Sequence, residues 1–139
     1  MAVTLRDFMS SGDVLTVEPS VSLAGAARRM SDRNVGAAVV VDQSGRVAGI
    51  FTERDLLRAV AGGVALDEAE VGSLMTANPI TLPSDHSPSE AAAIMNERKF
   101  RHIPVVDEGE LVGIVSIRDL VGAAMHIASA DAHVGSDFP

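Results

Sequence analysis

The chain has 139 residues and is 47% hydrophobic, which is enough for a buried core and too apolar for a disordered protein. Its net charge of −8 disfavours binding to a nucleic-acid backbone, and the absence of tryptophan and tyrosine leaves few rings to stack on bases. The absence of cysteine excludes disulfides and is compatible with a reducing compartment. No apolar run is long enough to cross a bilayer, and residues 1–7 have no signal-peptide core. We therefore expect a cytoplasmic protein that does not insert into a membrane.

In chain order, the first half is predicted to fold as strand, helix, strand, strand and helix after a short helical turn. The first helix is indicated by an apolar stripe at every third or fourth position from Leu23 to Met30. Two apolar runs around the turn at 42–45 predict a hairpin. In the last helix we expect Leu56, Leu57 and Val60 to face the core. The predicted elements are the turn 5–9, strand 14–17, helix 22–33, strands 37–41 and 47–51, and helix 52–61.

The second half repeats the first at an offset of about 65 residues, so that Met30 matches Met95 and Gly49 matches Gly113. Its first helix has a strong start signal, because Ser87 can cap it and proline follows at the first helical position. One unit of about 60 residues is marginal alone, so two packed units are expected. The predicted elements are a lead-in at 71–75, strand 80–82, a helix from 87, strands 103–106 and 111–115, and helix 116–127.

These elements predict an α/β (α+β) fold of two tandem β-α-β-β-α units. The first unit is predicted to span residues 5–66 and the second 67–128. A small, polar and loose tail is expected at 129–139.

One phrase occurs in both halves, from Gly49 to Asp55 and from Gly113 to Asp119. It reads glycine, two apolar residues, a hydroxyl residue, any residue, arginine and aspartate. The hydroxyl and the carboxylate share one face of a helix's first turn, where backbone N–H groups are free and the helix dipole is positive. Such a place suits a phosphate, with sugar hydroxyls donating to the carboxylate. The alternative is that both side chains only cap their own helix.

Both phrases also place an arginine, Arg54 or Arg118, at the second helical position. A cation there opposes the helix dipole, and a local rule broken twice suggests a compensating anion. A salt bridge to an acidic neighbour is the alternative explanation.

The tandem units, the two phrases and the run from Phe100 to Asp107 (FRHIPVVD) together resemble a CBS-domain pair, or Bateman module, over about residues 5–127. The resemblance implies two units packed through their sheets about a pseudo-twofold axis, with two clefts that bind AMP, ADP, ATP or S-adenosylmethionine. It implies that the hydroxyl contacts phosphate and the aspartate contacts ribose. It further implies a homodimer that acts on a regulated protein. The implicated residues are Thr52 and Asp55 in one cleft, and Ser116 and Asp119 in the other.

Arg101 and His102 precede the hairpin of the second half, where they could clamp a phosphate or be a solvated pair. The first half has Gly36 and Ala37 in the matching place, so the two clefts are not expected to be equivalent. The first half's cleft loses this positive charge, so we expect it to prefer a less phosphorylated ligand or to stay empty. Two further candidates, at strand starts, are Thr16 and Thr81, which are otherwise ordinary strand residues.

The four histidines show no metal-ligand spacing, and the consecutive Asp85, His86 and Ser87 cannot form a catalytic triad by themselves. We therefore predict a non-catalytic regulatory module that senses an adenine nucleotide and needs no metal or cofactor. Three alternatives are a dimerisation module with vestigial clefts, an enzyme such as a phosphohydrolase, and a nucleic-acid-binding protein.

Overall fold

The computed structural model describes residues 3–10 and 14–122. The predicted tail at 129–139 and the end of the last helix lie outside these residues. No helix in the described part of the chain is both long and apolar enough to span a membrane. The strands are β1 (Thr16–Val17), β2 (Ala37–Val41), β3 (Val47–Thr52), β4 (Thr76–Ala77), β5 (His102–Asp107) and β6 (Glu110–Ser116). The helices are α1 (Leu23–Arg33), α2 (Glu53–Ala61), α3 (Val71–Leu74) and α4 (Pro88–Arg98), with a 3-10 turn at Leu5–Asp7 and helical residues at 117–122.

The strands form two sheets of the same design. In the first, the order is β1-β2-β3-β4, with β1 parallel to β2 and the other pairs antiparallel. In the second, the β5-β6 hairpin is extended by single bridges, from Leu82 to Val105 and from Ser10 to Ile114. The predicted α/β architecture of two β-α-β-β-α units is confirmed.

The predicted strand at 80–82 is reduced to a single parallel bridge, because within the described residues only Leu82 pairs there. Its N–H donates to the Pro104 carbonyl at 3.2 Å, and the Val106 N–H donates to its carbonyl at 2.9 Å. Pro79 and Pro83 flank this segment, and prolines have no N–H with which to extend a ladder. The regular strand of this region is β4, which precedes Pro79.

The inward face predicted for α2 is only partly correct. Ala59 is buried and Leu56 packs against the first core, whereas Leu57 is 67% exposed and Val60 is 55% exposed. A helix of nine residues that lies on one side of a sheet buries a single stripe, and 56 and 59 complete that stripe. Two large apolar side chains of α2 therefore face away from the core.

Each half contains its own hydrophobic core, but the lead-in segments are exchanged between halves. Leu5 is fully buried in the core of the second half, and its N–H donates to the His86 carbonyl at 2.9 Å. Val71 is fully buried in the core of the first half, and its N–H donates to the Val21 carbonyl at 2.8 Å. Neither core is complete without a segment from the other half.

This exchange explains the glycine that opens each repeated phrase. A Cβ at Gly49 would lie 2.8 Å from the carbonyl oxygen of Thr76, and one at Gly113 would lie 2.8 Å from that of Ser10. Real Cβ atoms do not approach so closely, so any side chain would displace the crossing segment. The glycines therefore serve packing between the halves.

The corresponding helices α1 and α4 begin with the same kind of cap and end in the same backbone conformation, but the residues in that conformation differ. Ser22 caps α1 by accepting from the Gly25 N–H at 3.0 Å, and Ser87 caps α4 by accepting from the Glu90 N–H at 3.1 Å. The predicted Ser87 cap is thus confirmed. Both helices end in a left-handed residue, which is Asn34 (φ 54°) after α1 and Lys99 (φ 64°) after α4. Asparagine suits that conformation, whereas lysine rarely adopts it.

Candidate functional site

Two cavities lie at the starts of the helices that follow β3 and β6. The first has a volume of about 440 Å³ and is lined by the start of α2, segment 76–80 and segment 98–102. We call it the basic cavity. The second has a volume of about 570 Å³ and is lined by the helix start at 116–119, segment 34–37 and part of α1. We call it the neutral cavity.

The hydroxyl and carboxylate of each phrase cap their own helix. In the basic cavity, the Thr52 N–H donates to Oδ2 of Asp55 at 2.9 Å, and the Asp55 N–H donates to Oγ1 of Thr52 at 3.3 Å. In the neutral cavity, the corresponding distances between Ser116 and Asp119 are 2.8 and 3.1 Å. Within residues 3–10 and 14–122, Oδ1 of neither aspartate has a hydrogen-bond partner, so each half-buried carboxylate keeps an acceptor for a ligand.

The arginines at the second helical position have no acidic partner among the residues that the structure describes. Arg54 lines the basic cavity and Arg118 lines the neutral cavity. Neither takes part in any of the ion pairs formed between residues of the described ranges. The salt-bridge explanation of these two cations is therefore not supported, and a bound anion remains as the compensating group.

Three ionisable side chains, Glu53, Arg101 and His102, line both cavities and form a shared wall. Burial lowers the pKa of His102, the negative charges of Glu53 and Asp119 partly oppose this, and Arg101 adds to the lowering. His102 is therefore a neutral imidazole at pH 7. The wall then carries one cation and one anion.

Each cavity combines the phrase of one half with the hairpin mouth of the other. Arg101 and His102 lie beside the first half's Thr52, Arg54 and Asp55 in the basic cavity. Arg101 and His102 also line the neutral cavity. That cavity therefore contains the Arg101 charge, although positions 36 and 37 carry no cation. The neutral cavity contains Ser116, Arg118 and Asp119 together with Gly36 and Ala37. Thr16 and Thr81 are exposed and line neither cavity.

Three cations of the basic cavity were missed by sequence reasoning. They are Arg58 on α2 and Arg98 and Lys99 at the end of α4. The available signal was the run Arg98 to Arg101, which has three cations in four residues where the first half has one, at Arg33. A comparison of the two copies at this point would have found it.

The basic cavity offers four kinds of contact. Cations can hold an anionic group, a threonine hydroxyl can donate to it, and a carboxylate oxygen can accept from sugar hydroxyls. Ile50, Ile80 and Phe100 supply an apolar surface for a ring. Among the residues that the structure describes, no three histidine or acidic side chains are grouped to hold a metal ion. The arrangement suits a ligand with an anionic end, a sugar and a flat apolar ring.

The family model named CBS domain matches this chain twice, at residues 5–62 and 71–126. The chain belongs to the CBS-domain family. It is similar to the crystal structure of a CBS-domain containing protein from Agrobacterium tumefaciens, with 41% identity, a TM-score of 0.82, and coverage of 89% of this chain and 95% of that one. Several CBS domain-containing proteins of Arabidopsis thaliana are much longer, and this chain spans only 19–23% of their length.

Two similar structures contain bound ligands. CBSX2 in complex with AMP is 30% identical, with a TM-score of 0.77 and coverage of 91% of this chain and 99% of that one. The CBS domain pair of protein MJ0100, in complex with 5′-methylthioadenosine and S-adenosyl-L-methionine, is 26% identical, with a TM-score of 0.83 and the same coverage. These two similar proteins thus bind adenosyl compounds.

Proposed function

We propose that this CBS-domain protein is a regulatory module that binds an adenosyl ligand and changes its interaction with another protein. The observation that carries the proposal is the start of the helix in each cavity, where, within residues 3–10 and 14–122, an aspartate oxygen has no partner and the neighbouring arginine forms no ion pair. In this proposal Asp55 and Asp119 accept from ribose hydroxyls, and Thr52 and Ser116 contact phosphate or its replacement. The AMP and S-adenosylmethionine complexes of similar proteins support the ligand class.

The mechanism is a shift in the population of conformations. Each cavity is lined by segments from both halves, so a bound ligand favours the arrangement in which those segments are correctly spaced. A surface that includes both halves then changes its affinity for the regulated protein, and by linkage that protein changes the affinity for the ligand. No covalent bond is broken and no cofactor is required. We place this activity in the cytoplasm.

A thermal-shift panel tests the proposal. We expect AMP, ADP, ATP or S-adenosylmethionine to raise the melting temperature, because a ligand that binds only the folded state stabilises it. The double variant Asp55→Ala and Asp119→Ala should abolish the shift. The matched control is Asp32→Ala with Asp85→Ala, which removes the same charge from exposed positions. The absence of any shift with the unmodified protein would favour the dimerisation module with vestigial clefts.

The same proposal includes a homodimer. Leu57 and Val60 are exposed on α2, and Val121, at the position equivalent to Leu57 in the second half, is 51% exposed. A second copy that covers these helices would bury all three side chains. Light scattering should give twice the chain mass, and Leu57→Lys with Val121→Lys should halve it. A monomeric unmodified protein would contradict this part of the proposal.

A further inference from the structure

The two cavities differ in charge although the halves share one framework. The basic cavity is lined by five cations, Arg54, Arg58, Arg98, Lys99 and Arg101, against two carboxylates. Among the residues that the structure describes, the neutral cavity is lined by two cations and two carboxylates. This contrast exists within a chain whose net charge is −8. A local concentration of cations against an overall negative charge indicates a strongly anionic ligand.

Within the described part of the chain, no carboxylate pairs with any of these five cations. Arg58 lies one helical turn after Arg54, so both extend from the same face of α2 toward the cavity. The end of α4 supplies the other cations from the opposite wall. The cavity therefore has positive charge well beyond the single arginine of the repeated phrase.

Lys99 gives independent support. It is held in the left-handed conformation, which costs conformational free energy that asparagine or glycine would largely avoid. The first half meets the same requirement with Asn34 and keeps an arginine, Arg33, as the basic residue of the last turn. Arg98 is already the basic residue in the last turn of α4, where it interacts favourably with the helix dipole. The dipole therefore does not account for a second cation at position 99. A strained residue with its charge at the cavity wall is typical of a functional site.

We propose that the basic cavity selects a nucleoside di- or triphosphate and that the neutral cavity does not bind one. Thr52, Arg54 and Asp55 contact the ribose and its first phosphate, and Arg58, Arg98 and Lys99 contact the phosphates beyond it. The neutral cavity, with balanced charge, takes an adenosyl compound without a phosphate chain. This inference rests on the proposed function, since it assumes that the cavities bind adenosyl ligands.

The test is calorimetric titration with adenosine, AMP, ADP and ATP without divalent cations, so that the phosphates keep their full charge. We expect ATP to bind with one equivalent per chain and affinity to rise roughly fivefold with each added phosphate. In Arg98→Gln with Lys99→Gln, the preference for ATP over AMP should disappear. The control, Arg29→Gln with Arg46→Gln, removes the same charge outside both cavities and should keep the preference. Inorganic triphosphate should displace ATP from the unmodified protein.

Lys99→Asn separates a ligand contact from a structural role. It should raise the melting temperature of the free protein, because asparagine adopts the left-handed conformation more easily, and it should weaken ATP binding severalfold. Unchanged ATP affinity in this variant would overturn the role of Lys99. Equal affinities for AMP and ATP, or two equivalents of ATP, would overturn the inference and leave the proposed function intact. No binding of any of these four compounds or of S-adenosylmethionine would overturn both.

Discussion

The two halves of this CBS-domain protein have the same framework and different cavities. Sheet order, helix caps and the repeated phrase recur in both, down to the bonds between Thr52 and Asp55 and between Ser116 and Asp119. The residues that differ lie around the phrase, such as Lys99 where the first half has Asn34, and Arg58 where the second half has Gly122. The phrase therefore determines where a ligand can bind, whereas the residues around it determine which ligand fits.

The largest effect on the framework that the two halves share is expected where the exchanged lead-in segments pack against Gly49 and Gly113. We expect Gly49→Ala to destabilise the protein by up to about 3 kcal/mol, because its Cβ would meet the backbone of Thr76 and overpacking costs ~1–3 kcal/mol. Gly113→Ala should cost a similar amount, since the oxygen of Ser10 is equally close. Gly122→Ala is the control, because a Cβ there meets nothing within 4 Å. Urea denaturation measures all three, and a loss below ~0.5 kcal/mol for Gly49→Ala would contradict the packing argument.

Single aspartate variants should separate the two cavities. Asp55→Ala is expected to weaken binding in the basic cavity by about 30-fold, the typical loss when a charged group's hydrogen bond is removed. Asp119→Ala should have this effect only on the ligand of the neutral cavity. Calorimetric titration with ATP and with S-adenosylmethionine distinguishes the sites. If both variants weaken both ligands equally, the assignment of one ligand to each cavity is wrong.

Much of this comparison was predictable from the sequence, because it depends on local rules. The Ser87 cap, the α1 stripe and the two phrases all follow from spacing along one helix. The exchange of lead-in segments was not predictable, since nothing in the residues around Leu5 says which core will bury it. The basic cavity also depends on the meeting of α2 with the end of α4, and such long-range placement leaves no periodic pattern.

Acidification should add the same positive charge to both cavities, because His102 lines both. Burial lowers the pKa of His102, so its contribution to stability is present above about pH 6.5 and is lost as the pH falls through the folded-state pKa. A bound phosphate favours the imidazolium, so ATP affinity relative to His102→Gln should rise a few-fold as the pH falls from about 7 to about 5.5. Protonation of the phosphate near pH 6 changes the ATP affinity of both proteins alike, so it cancels in the ratio of their affinities. A ratio independent of pH would show that His102 does not sense the ligand, despite the neighbouring Glu53, Asp119 and Arg101.

The smallest expected effect concerns the hairpin turns. The Asp42 carboxylate accepts from the nearby N–H groups of Ser44 and Arg46, whereas the Asp107 carboxylate accepts from the backbone N–H and the hydroxyl of the buried Ser84, at 2.8 and 2.6 Å. The Ser84 hydroxyl is the main reason that the pKa of Asp107 is lowered, with help from the Ser84 N–H and the Arg6 charge, which outweigh burial.

A lowered carboxyl pKa stabilises the fold above about pH 4, and this contribution is lost as the pH falls through the folded-state pKa. Asp107→Asn should therefore lower the denaturation midpoint at pH 7 more than Asp42→Asn does, and the gap should close near pH 3. Urea midpoints at the two pH values measure this. If the difference between the two variants' urea midpoints is the same at both pH values, the charge of Asp107 is not the cause of the stabilisation.

The crossed lead-in segments also bear on how the molecule can come apart. β4 covers the outer edge of β3, and Ser10 covers that of β6, each supplied by the lead-in segment of the other half. A cut between the units would leave both sheet edges open, and open edges recruit strands from other molecules. A severed half would thus regain its missing segment by reciprocal donation between two chains, so this fold carries a ready route to domain-swapped pairs.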